Sequence, residues 1–432
     1  ELTNAQKKVI KEIRLDMKGG KQMNRLLQGD VGSGKTIVAL MSMLIAIDNG
    51  FQALIIAPTE ILANQHFQNI GILKTHLGVN VGLLTGSSKT AVRKQIDEDL
   101  RSGELHILIG THALLEEKVV FKNLGLAVID EQHRFGVAQR ARLWAKSATP
   151  PHVLVMTATP IPRTLAMTFY GDLDVSVIDE MPPGRKEIIT RHYFEKSRLA
   201  VQGSIKKIIK QGMQVYIVYP LIQESEKLDY QNLMDGYDII SRDFPRPEYQ
   251  LGIVHGKMKS EDKELEMARF KKGELHILVS TTVIEVGVDV PNATAMVIES
   301  AERFGLSQLH QLRGRVGRGG NQSYCILMTG NKLTHEARTR METMVSTNDG
   351  FKIAEVDLNL RGPGDLAGTQ QSGLINFRIA NLATDHSILK AARLAASYLI
   401  DSDPELGKEE NKNLRIFLSD QAKNQFDWSS IS

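Results

Sequence analysis

The fold is decided by the stretch Gly29-Asp30-Val31-Gly32-Ser33-Gly34-Lys35-Thr36. It follows the short apolar run at residues 25–27 and opens the segment 37–48, which is apolar and contains neither proline nor glycine. These flanks predict a strand before the stretch and a buried helix after it. Strand, glycine loop and helix are the context that the phosphate-binding pattern G-x-x-x-x-G-K-[ST] requires.

The residue types in this loop suit a polyphosphate. Glycines let consecutive backbone N–H groups close around the anion, and the positive end of the following helix faces it. Lys35 is predicted to reach the β- and γ-phosphates, and the Thr36 hydroxyl is predicted to bind Mg²⁺. A glycine-rich turn that only caps a helix is the alternative, but such a turn does not need the Lys-Thr pair.

The composition sets limits on the class of protein. A chain of 432 residues is too long for one ordinary core, so we expect two or three domains. With 53 Lys plus Arg against 50 Asp plus Glu, the net charge of +3 does not argue for nucleic acid. One cysteine, Cys325, excludes a disulfide or a cysteine zinc site within this sequence. No apolar run approaches twenty residues, which favours a cytosolic protein without a membrane partner.

Apolar runs separated by helical patterns predict an α/β fold with parallel sheets. In the first half these runs lie at 53–57, 81–84, 105–109, 126–129 and 153–156. Polar residues follow each run, and ligands bind beyond the carboxyl ends of the strands in such sheets. Thr3 or Asn4 is the expected N-cap of a first helix that carries Gln6, which is either an adenine-reading or a surface residue.

The segment 181–185, Met-Pro-Pro-Gly-Arg, reads as a linker between two domains. Beyond it a helix is predicted at 197–210 and strands at 214–219, 251–254, 275–279, 295–298 and 324–328. The polar segment 221–247 is expected to be an irregular or mobile loop. The sequence Gly-Glu-Leu-His-Ile-Leu occurs at both 103–108 and 273–278, which indicates two lobes of like design, unless the short match is a coincidence.

Two acidic residues end the apolar run at 126–129. Asp130 is the natural second contact of Mg²⁺, either directly or through water, and Glu131 is placed to orient and deprotonate an attacking water. Paired carboxylates are common on protein surfaces, so this interpretation depends on the phosphate loop that precedes them.

The second lobe contains the arginine-rich stretch 311–320. Arginine supplied by another domain stabilises the charge that develops during phosphoryl transfer. Arg315 and Arg318 are our candidates for that role, and Gln311 is expected near the γ-phosphate or its attacking water. A basic RNA-type or targeting patch is the alternative.

Groups that follow strands in both lobes are candidates for holding a nucleic-acid backbone. They are Thr59, Gly86 and Thr111 in the first lobe and Gly256 and Thr281 in the second. Ordinary caps at strand ends are the alternative for each. If ATP completes a site shared by the lobes, its hydrolysis opens the cleft and moves whatever both lobes hold.

Five motifs together resemble those of superfamily-two helicases. They are GDVGSGKT, DEQH at 130–133, TAT at 157–159, STTVIEVGVDVP at 280–291 and QLRGRVGRGG at 311–320. The resemblance implies two tandem RecA-like lobes, with Gln6 reading adenine and Asp289 in the motif that links nucleotide to nucleic acid. It also implies coupling or DNA-contact roles for Thr157 and Thr159.

Three further stretches resemble the RecG family of bacterial DNA helicases: RLLQ at 25–28, DEQHRFGVAQR at 130–140 and the segment 349–373. The last resembles the family's translocation motif, which is a helical hairpin followed by a loop. We take Arg361 and Gln371 from this segment, and Arg338 and Arg340 from the helical pattern before it, as DNA-contact or coupling candidates. The residues themselves predict a helix at 334–347 with Arg338 and Arg340 exposed, and a constrained turn at 361–365.

The resemblance implies an ATP- and Mg²⁺-dependent DNA helicase or translocase that remodels branched DNA, such as stalled forks and Holliday junctions, with 3'-5' polarity. It further implies a monomeric motor in the bacterial cytoplasm at the nucleoid, and a single-strand-binding protein as a partner. We expect an ATP-binding lobe at 1–181, a second lobe at 182–331 and a C-terminal hairpin, loop and helical tail at 332–432.

Two departures from the family and three rival functions remain to be weighed. No wedge domain precedes the first motif, so the chain is expected to be a fragment, and Gln370 stands where a basic residue is frequent. Gln132 and the RGPGD stretch argue against a transcription-repair coupling translocase, and the hairpin has no role in an RNA helicase. A nucleotide-gated module that grips DNA without turnover is the rival from another class.

Overall fold

The structure, a computed structural model, describes residues 2–71, 77–116, 118–130, 146, 149–157, 173–220, 226–281, 290–365 and 385–424. For residues 226–232, 260, 361–365, 386, 387, 389, 390 and 420–424 it describes the backbone alone.

Within the described residues, the first lobe has a parallel seven-stranded sheet in the order β3-β4-β2-β5-β6-β1-β7. Its strands are β1 (Asn24–Gly29), β2 (Gln52–Ile56), β3 (Val81–Leu84), β4 (Ile107–Gly110), β5 (Leu124–Asp130), β6 (His152–Thr157) and β7 (Asp174–Ile178). Its helices include α1 (Asn4–Lys18), α2 (Lys35–Asp48), α3 (Glu60–Gly71) and α4 (Thr90–Ser102). Strands β1, β2, β4, β5 and β6 are buried along nearly their whole length, as continuous apolar runs predict, whereas the edge strand β7 is partly exposed.

The second lobe has a parallel sheet whose six described strands have the order β10-β11-β9-β12-β13-β8. They are β8 (Ile189–Phe194), β9 (Gln214–Tyr219), β10 (Leu251–Val254), β11 (Ile277–Thr281), β12 (Ala293–Ile298) and β13 (Tyr324–Thr329). The helices of this lobe include α5 (Arg198–Lys210), α6 (Glu226–Asp243), α7 (Ser260–Lys271) and α8 (Leu306–Arg313). The boundary we predict at 181/182 falls between β7 and β8, the last strand of one sheet and the first of the next.

Four helices follow the second sheet: α9 (His335–Ser346), α10 (Gly350–Asp365), α11 (His386–Ser402) and α12 (Lys412–Asn424). Helices α9 and α10 pack against each other and against α8, and so form the predicted hairpin on the second lobe. Arg393 of α11 donates to the Leu173 carbonyl at 3.2 Å, which ties this helix to the edge of the first lobe. None of the helices in the described parts of the chain is both long and apolar enough to span a bilayer.

The repeated hexapeptide occupies equivalent places in the two sheets. β4 and β11 each lie second from one edge, next to β3 and β10. His106 Nδ1 accepts from the backbone N–H of Asn80 at 2.9 Å, and His276 Nδ1 accepts from the backbone N–H of Gln250 at 3.0 Å. The repeat therefore marks two lobes of like design, as predicted, because each copy fixes the same strand ends.

A pair of buried glutamines extends this likeness to residues outside the repeat. Each begins a strand and donates to two backbone carbonyls: Gln52 to those of Leu100 and Leu105, and Gln214 to those of Phe270 and Leu275. Because a buried amide without partners is costly, these bonds fix the loop between helix and strand in both lobes.

The expectation of an irregular loop at 221–247 is wrong for most of the segment, because α6 occupies residues 226–243. Leu233, Ile240 and Phe244 are buried, and their spacings of seven and four residues place them on one helical face. The prolines at 245 and 247 lie beyond the end of the helix, where proline is compatible with it. Residues 221–225 lie outside the described part of the chain.

The expected constrained turn at 361–365 is also wrong, because α10 continues to Asp365. Pro363 lies in the last turn, where its missing N–H costs one hydrogen bond near a helix end that frays in any case. The predicted helix at 334–347 is confirmed as α9, with Thr334 as its N-cap.

Candidate nucleotide site between the lobes

The phosphate loop requires glycine at several positions. Gly32 and Gly34 have φ angles of +79° and +88°, in the left-handed region. A Cβ atom on Gly34 would collide with Gln6 Nε2, and one on Gly29 would lie 2.5 Å from Ser33 Oγ. The loop is therefore as tight as a cradle of backbone N–H groups around an anion must be.

Polar side chains in the loop fit a polyphosphate. Lys35 is buried, and its Nζ donates to the carbonyls of Gly29 at 2.7 Å and Asp30 at 2.9 Å, so the ammonium lies over the loop. The Ser33 hydroxyl is buried without a hydrogen-bond partner. A buried orphan of this kind calls for an explanation, and a bound phosphate oxygen supplies one.

Gln6 lies against the loop, and its side-chain amide can form further hydrogen bonds. Its Oε1 accepts from the Thr3 amide at 2.9 Å, which closes the capping box of α1, and its Nε2 donates to the Ser33 carbonyl at 2.9 Å. A primary amide has two donor hydrogens and two acceptor lone pairs, so one of each remains. The geometry agrees with the predicted adenine contact, which stays a prediction.

Asp130 projects from the end of β5 toward the side of the sheet that carries α2 and α3. Val128 belongs to the core on that side, Ile129 to the core on the other, and side chains alternate along a strand. The Asp130 carboxylate is hydrogen-bonded to His66 of α3, at 2.8 Å between Oδ2 and Nε2. Sequence reasoning missed His66, because no motif contains it.

The second lobe covers the loop through the end of α8. A Cβ atom on Gly314 would lie 2.7 Å from Val31 Cβ, so glycine allows this approach. Arg315 follows directly and is 9% exposed, and Arg318 is half-buried. The stretch of the predicted arginine candidates therefore lies against the phosphate loop, while the roles of Arg315, Arg318 and Gln311 stay predictions.

Arg185 of the linker bridges the two lobes. Its Nη1 donates to the Val31 carbonyl at 2.5 Å, and its Nε donates to the Gly317 carbonyl at 3.1 Å. Sequence reasoning placed Arg185 in the linker but assigned it no function. The only available signal was an arginine beside the Pro-Pro-Gly turn.

Asp30, the second residue of the loop, contacts the second lobe at two places. Its Oδ1 is hydrogen-bonded to His310 Nε2, and its Oδ2 accepts from the Gly350 amide at 3.2 Å. Burial alone would raise the pKa of this carboxyl. The pKa is nevertheless lowered, because the hydrogen bond and charge of His310, the Gly350 amide and the charge of Lys35 outweigh burial.

Arg313 continues this network into the hairpin. Its guanidinium donates to the carbonyls of Met344 and Thr347, at 3.0 and 2.8 Å, and contacts His310 Nδ1 at 3.0 Å. The side chain is 2% exposed, and burial lowers its pKa. Arg313 belongs to the predicted arginine stretch, but we did not single it out because only its surroundings distinguish it.

A cavity of about 1030 Å³ opens beside these contacts. Its lining comes from the phosphate loop, the linker and the hairpin, including Val31, Ser33, Arg185, Phe351 and Lys352. This volume is large enough for a small-molecule ligand such as a nucleotide.

The predicted DNA-contact residues lie at the carboxyl ends of strands or on the hairpin, but not all are accessible. Thr157 and Thr281 are buried, whereas Arg338 is exposed on α9. The prediction that Arg340 is exposed is wrong. Its side chain is half-buried and donates to the carbonyls of Phe304 at 2.7 Å and Glu302 at 3.0 Å. Its guanidinium therefore holds the second lobe together.

The remaining DNA candidates of the first and second lobes lie at strand ends and local caps. The Thr59 hydroxyl accepts from the Leu62 amide at 3.4 Å, and Thr111 precedes a short 3₁₀ helix. The carbonyl of Gly86 accepts from Arg93 at 3.4 Å, and that of Gly256 accepts from Lys263 at 2.9 Å. For these four residues, contact with DNA stays a prediction.

Several predicted site residues lie outside the described part of the chain. They are Glu131, Thr159, Asp289, Gln370 and Gln371, together with the side chain of Arg361.

Three family descriptions match successive parts of the chain. Residues 3–168 match the DEAD/DEAH box helicases, residues 201–320 match the helicase conserved C-terminal domain, and residues 347–432 match domain 3, C-terminal, of the ATP-dependent DNA helicase RecG. The first two matches fall on the two lobes, and the third begins directly after α9 and covers α10 and the two helices that follow.

Relatives with high identity cover nearly the whole chain. The ATP-dependent DNA helicase RecG of Synechocystis sp. is 53% identical over 417 residues, 96% of this chain and 50% of the relative. That of Bacillus subtilis is 53% identical over 404 residues, 93% of this chain and 58% of the relative. The chain thus spans about half the length of these relatives.

A solved structure, RecG bound to a three-way DNA junction, matches with a TM-score of 0.75 and 46% identity over 90% of this chain and 50% of that one. The predicted fold of two RecA-like lobes with a C-terminal helical extension is thereby confirmed. The sequence and fold of this chain therefore match about half of the length of a RecG helicase, from the loop at 29–36 through the hairpin.

Proposed function

We propose that this chain is the motor of an ATP-dependent DNA helicase that remodels branched DNA, such as stalled forks and Holliday junctions, with 3'-5' polarity. The observation that carries the proposal is the polar network that leads from Asp30 through His310 and Arg313 to α9 and α10. It gives a change at the phosphate loop a direct physical route to the hairpin.

The route is short and buried. Asp30 contacts α8 through His310 and the start of α10 through the Gly350 amide. Arg313 then joins α8 to the end of α9 through the carbonyls of Met344 and Thr347. A polar network in a low-dielectric interior has few alternative arrangements, so movement of one lobe over the loop moves the hairpin with it.

Residues of the first lobe bind and activate the nucleotide in this proposal. The loop 29–36 cradles the phosphates, Lys35 supplies positive charge, and Gln6 contacts adenine. Thr36 and Asp130 hold Mg²⁺, which neutralises charge on the phosphates when it is bound. Glu131 orients the attacking water.

Residues of the second lobe complete the site. Arg315 and Arg318 stabilise the charge that develops during phosphoryl transfer, and Gln311 lies near the γ-phosphate. Asp289 links nucleotide to DNA. The packing of Gly314 and Gly317 against the loop and the linker supports this assignment, because these two glycines flank Arg315.

DNA is held across both lobes in this proposal, and its sugar-phosphate backbone is the chief contact. The contacts come from Thr59, Gly86, Thr111, Thr157 and Thr159 in the first lobe, Gly256 and Thr281 in the second, and Arg338, Arg361 and Gln371 in the extension. Arg340 has a coupling role, because its guanidinium bonds two carbonyls of the second lobe. The division at 1–181, 182–331 and 332–432 belongs to the same proposal. So do a monomeric motor, a single-strand-binding protein partner and a location in the bacterial cytoplasm at the nucleoid.

The test is ATP turnover by this chain with and without a forked duplex, combined with a stopped-flow fluorescence assay of fork remodelling. We expect turnover that the fork stimulates, and loss of both signals in Lys35→Ala. Fork binding that depends on ATP without turnover would favour a nucleotide-gated binding module instead.

A further inference from the structure

His66, which is hydrogen-bonded to Asp130, belongs to none of the motifs described above. We propose that His66 is a positioning residue, which sets the Asp130 carboxylate for Mg²⁺ in the nucleotide complex. The inference deepens the proposed function and rests on it, because it presumes that Asp130 serves a Mg²⁺-bound nucleotide.

The hydrogen bond is well formed and shielded. His66 Nε2 lies 2.8 Å from Asp130 Oδ2, and the two side chains are 8% and 15% exposed. An ionised carboxylate only accepts hydrogen bonds, so Nε2 carries the hydrogen. The bond therefore restricts the rotamer of the Asp130 side chain.

His66 itself has little freedom to move. Its neighbours on α3, Ala63 and Ile70, are buried in the core of the first lobe. The first turn of the helix is tied to the next loop, because Glu60 accepts from the amide and the hydroxyl of Ser87 at 3.1 and 2.8 Å. His66 thus projects from a fixed helix toward a fixed strand end.

The position of the bond matches what a Mg²⁺ site needs. Asp130 faces the side of the sheet on which α2 begins, and Lys35 and Thr36 form the first turn of α2. His66 bonds Oδ2, and the described residues show no bond to the other oxygen of Asp130, which we assign to Mg²⁺ or its bound water. Hydrogen bonds that hold a metal-binding carboxylate commonly govern the affinity of the site for its metal.

A buried histidine that only packs the core is the competing explanation. It predicts that replacing His66 lowers stability and weakens nucleotide binding with or without Mg²⁺. The positioning role predicts a loss confined to the Mg²⁺-dependent part, and a loss that requires the carboxylate of Asp130. The two explanations therefore separate in a double-mutant cycle.

The experiment measures equilibrium binding of a fluorescent, non-hydrolysable ATP analogue while MgCl₂ is varied. For His66→Leu we expect the Mg²⁺ concentration at half effect to rise by about 10-fold or more. Binding without Mg²⁺ is expected to be unchanged. His66→Gln keeps an N–H donor near the place of Nε2 and is expected to restore most of the Mg²⁺ response.

The cycle is completed with Asp130→Asn. Adding His66→Leu to Asp130→Asn is expected to change the Mg²⁺ response no further. His152→Leu is the matched control, because His152 lies in the same lobe and its Nδ1 accepts from the Met23 amide at 2.9 Å, away from the loop. We expect His152→Leu to keep the wild-type Mg²⁺ response. Melting curves establish that each variant is folded. If His66→Leu does not fold, the comparison of His66→Gln with the wild type still tests the proposal.

Other outcomes contradict the positioning role or the site itself. A normal Mg²⁺ response in His66→Leu, an equal loss with and without Mg²⁺, or an additive loss in the double variant overturns the positioning role alone. So does a His66→Gln variant as impaired as His66→Leu. If Mg²⁺ does not tighten binding by the wild-type chain, the proposed nucleotide site itself fails, and the role of His66 fails with it.

Discussion

The amide of Gly350 donates to Asp30 Oδ2 at 3.2 Å across 320 positions of the sequence. A carboxylate of the phosphate loop thus caps the helix that begins the second arm of the hairpin. Helix N-termini favour negative charge, so the contact is electrostatic as well as directional. It joins the phosphate loop of the first lobe directly to the hairpin on the second lobe.

Asp30→Asn should uncouple ATP turnover from DNA movement. The amide keeps the size of the side chain but loses the charge that His310 and Gly350 share, so the hairpin follows the loop less closely. We expect fewer base pairs remodelled per ATP hydrolysed, measured by phosphate release and fork fluorescence in one stopped-flow experiment.

Asp349→Asn is the control for that substitution. Asp349 caps the same helix by accepting from the amides of Phe351 and Lys352 at 2.9 and 3.4 Å, without a bond to the loop. It should leave the ratio of DNA moved to ATP used unchanged. An unchanged ratio in Asp30→Asn would refute coupling through Asp30.

The stability conferred by Asp30 should depend on pH in the acid range. Its pKa in the folded chain lies below the ordinary value of 3.8, so the unfolded chain binds this proton more readily. The contribution is complete above the unfolded pKa and is lost as pH falls through the folded pKa. Calorimetric melting of wild type and Asp30→Asn should show a constant difference down to about pH 5 and a shrinking one below it. A difference that is the same at pH 3 and pH 7 would contradict this.

Gly314→Ala should hold the lobes apart. The added methyl would lie 2.7 Å from Val31 Cβ, and both backbones are fixed by neighbouring contacts. We expect slower ATP hydrolysis and a larger radius of gyration by small-angle scattering with a bound ATP analogue. Gly320→Ala is the matched control, because nothing lies within 4 Å of a Cβ there. Equal rates in the two variants would show that the lobes do not close through this contact.

Arg318→Ala should slow hydrolysis by about 10³-fold with little loss of nucleotide affinity, since an arginine of this type acts on the transition state. Steady-state turnover and equilibrium binding of a fluorescent analogue separate the two quantities. Arg303, on a short 3₁₀ helix of the same lobe, supplies the control Arg303→Ala, which should keep the wild-type rate. An unchanged rate in Arg318→Ala would remove Arg318 from the mechanism.

DNA affinity should fall steeply with salt, because contacts to phosphates release counterions. The logarithm of the association constant, measured by fluorescence anisotropy on a fork, should decrease linearly with the logarithm of salt concentration. Arg338→Ala should lower that slope by about one if Arg338 contacts a phosphate. A flat titration would argue against a groove that follows the backbone.

Much of the fold is local enough to be read from the sequence. The loop at 29–36 and most strands of both sheets follow from residue type and periodicity, and the repeat of 103–108 at 273–278 predicts two like lobes. Strands β7 and β8, which flank the linker, were not predicted. The error at 226–243 arose because charged residues and nearby prolines outweighed a helical spacing that becomes apparent only when Leu233, Ile240 and Phe244 are known to be buried.

The site was predicted less completely, for a physical reason. Lys35 and Asp130 belong to motifs, whereas His66, Arg185 and Arg313 act through partners that only folding brings near. One glycine separates Arg313 from Arg315 in the sequence, yet the guanidinium of Arg313 is bonded to carbonyls of the hairpin. Single-sequence reasoning does not distinguish such an arginine from one that faces a phosphate.

The two bonds of Arg185 attach the end of the linker to both lobes. Because one guanidinium holds a carbonyl on each lobe, any widening of the cleft must break one of these bonds first. Whichever lobe keeps Arg185 takes the end of the linker with it. The pivot of the opening motion then lies on the opposite side of residue 185, so a single side chain selects where the hinge bends.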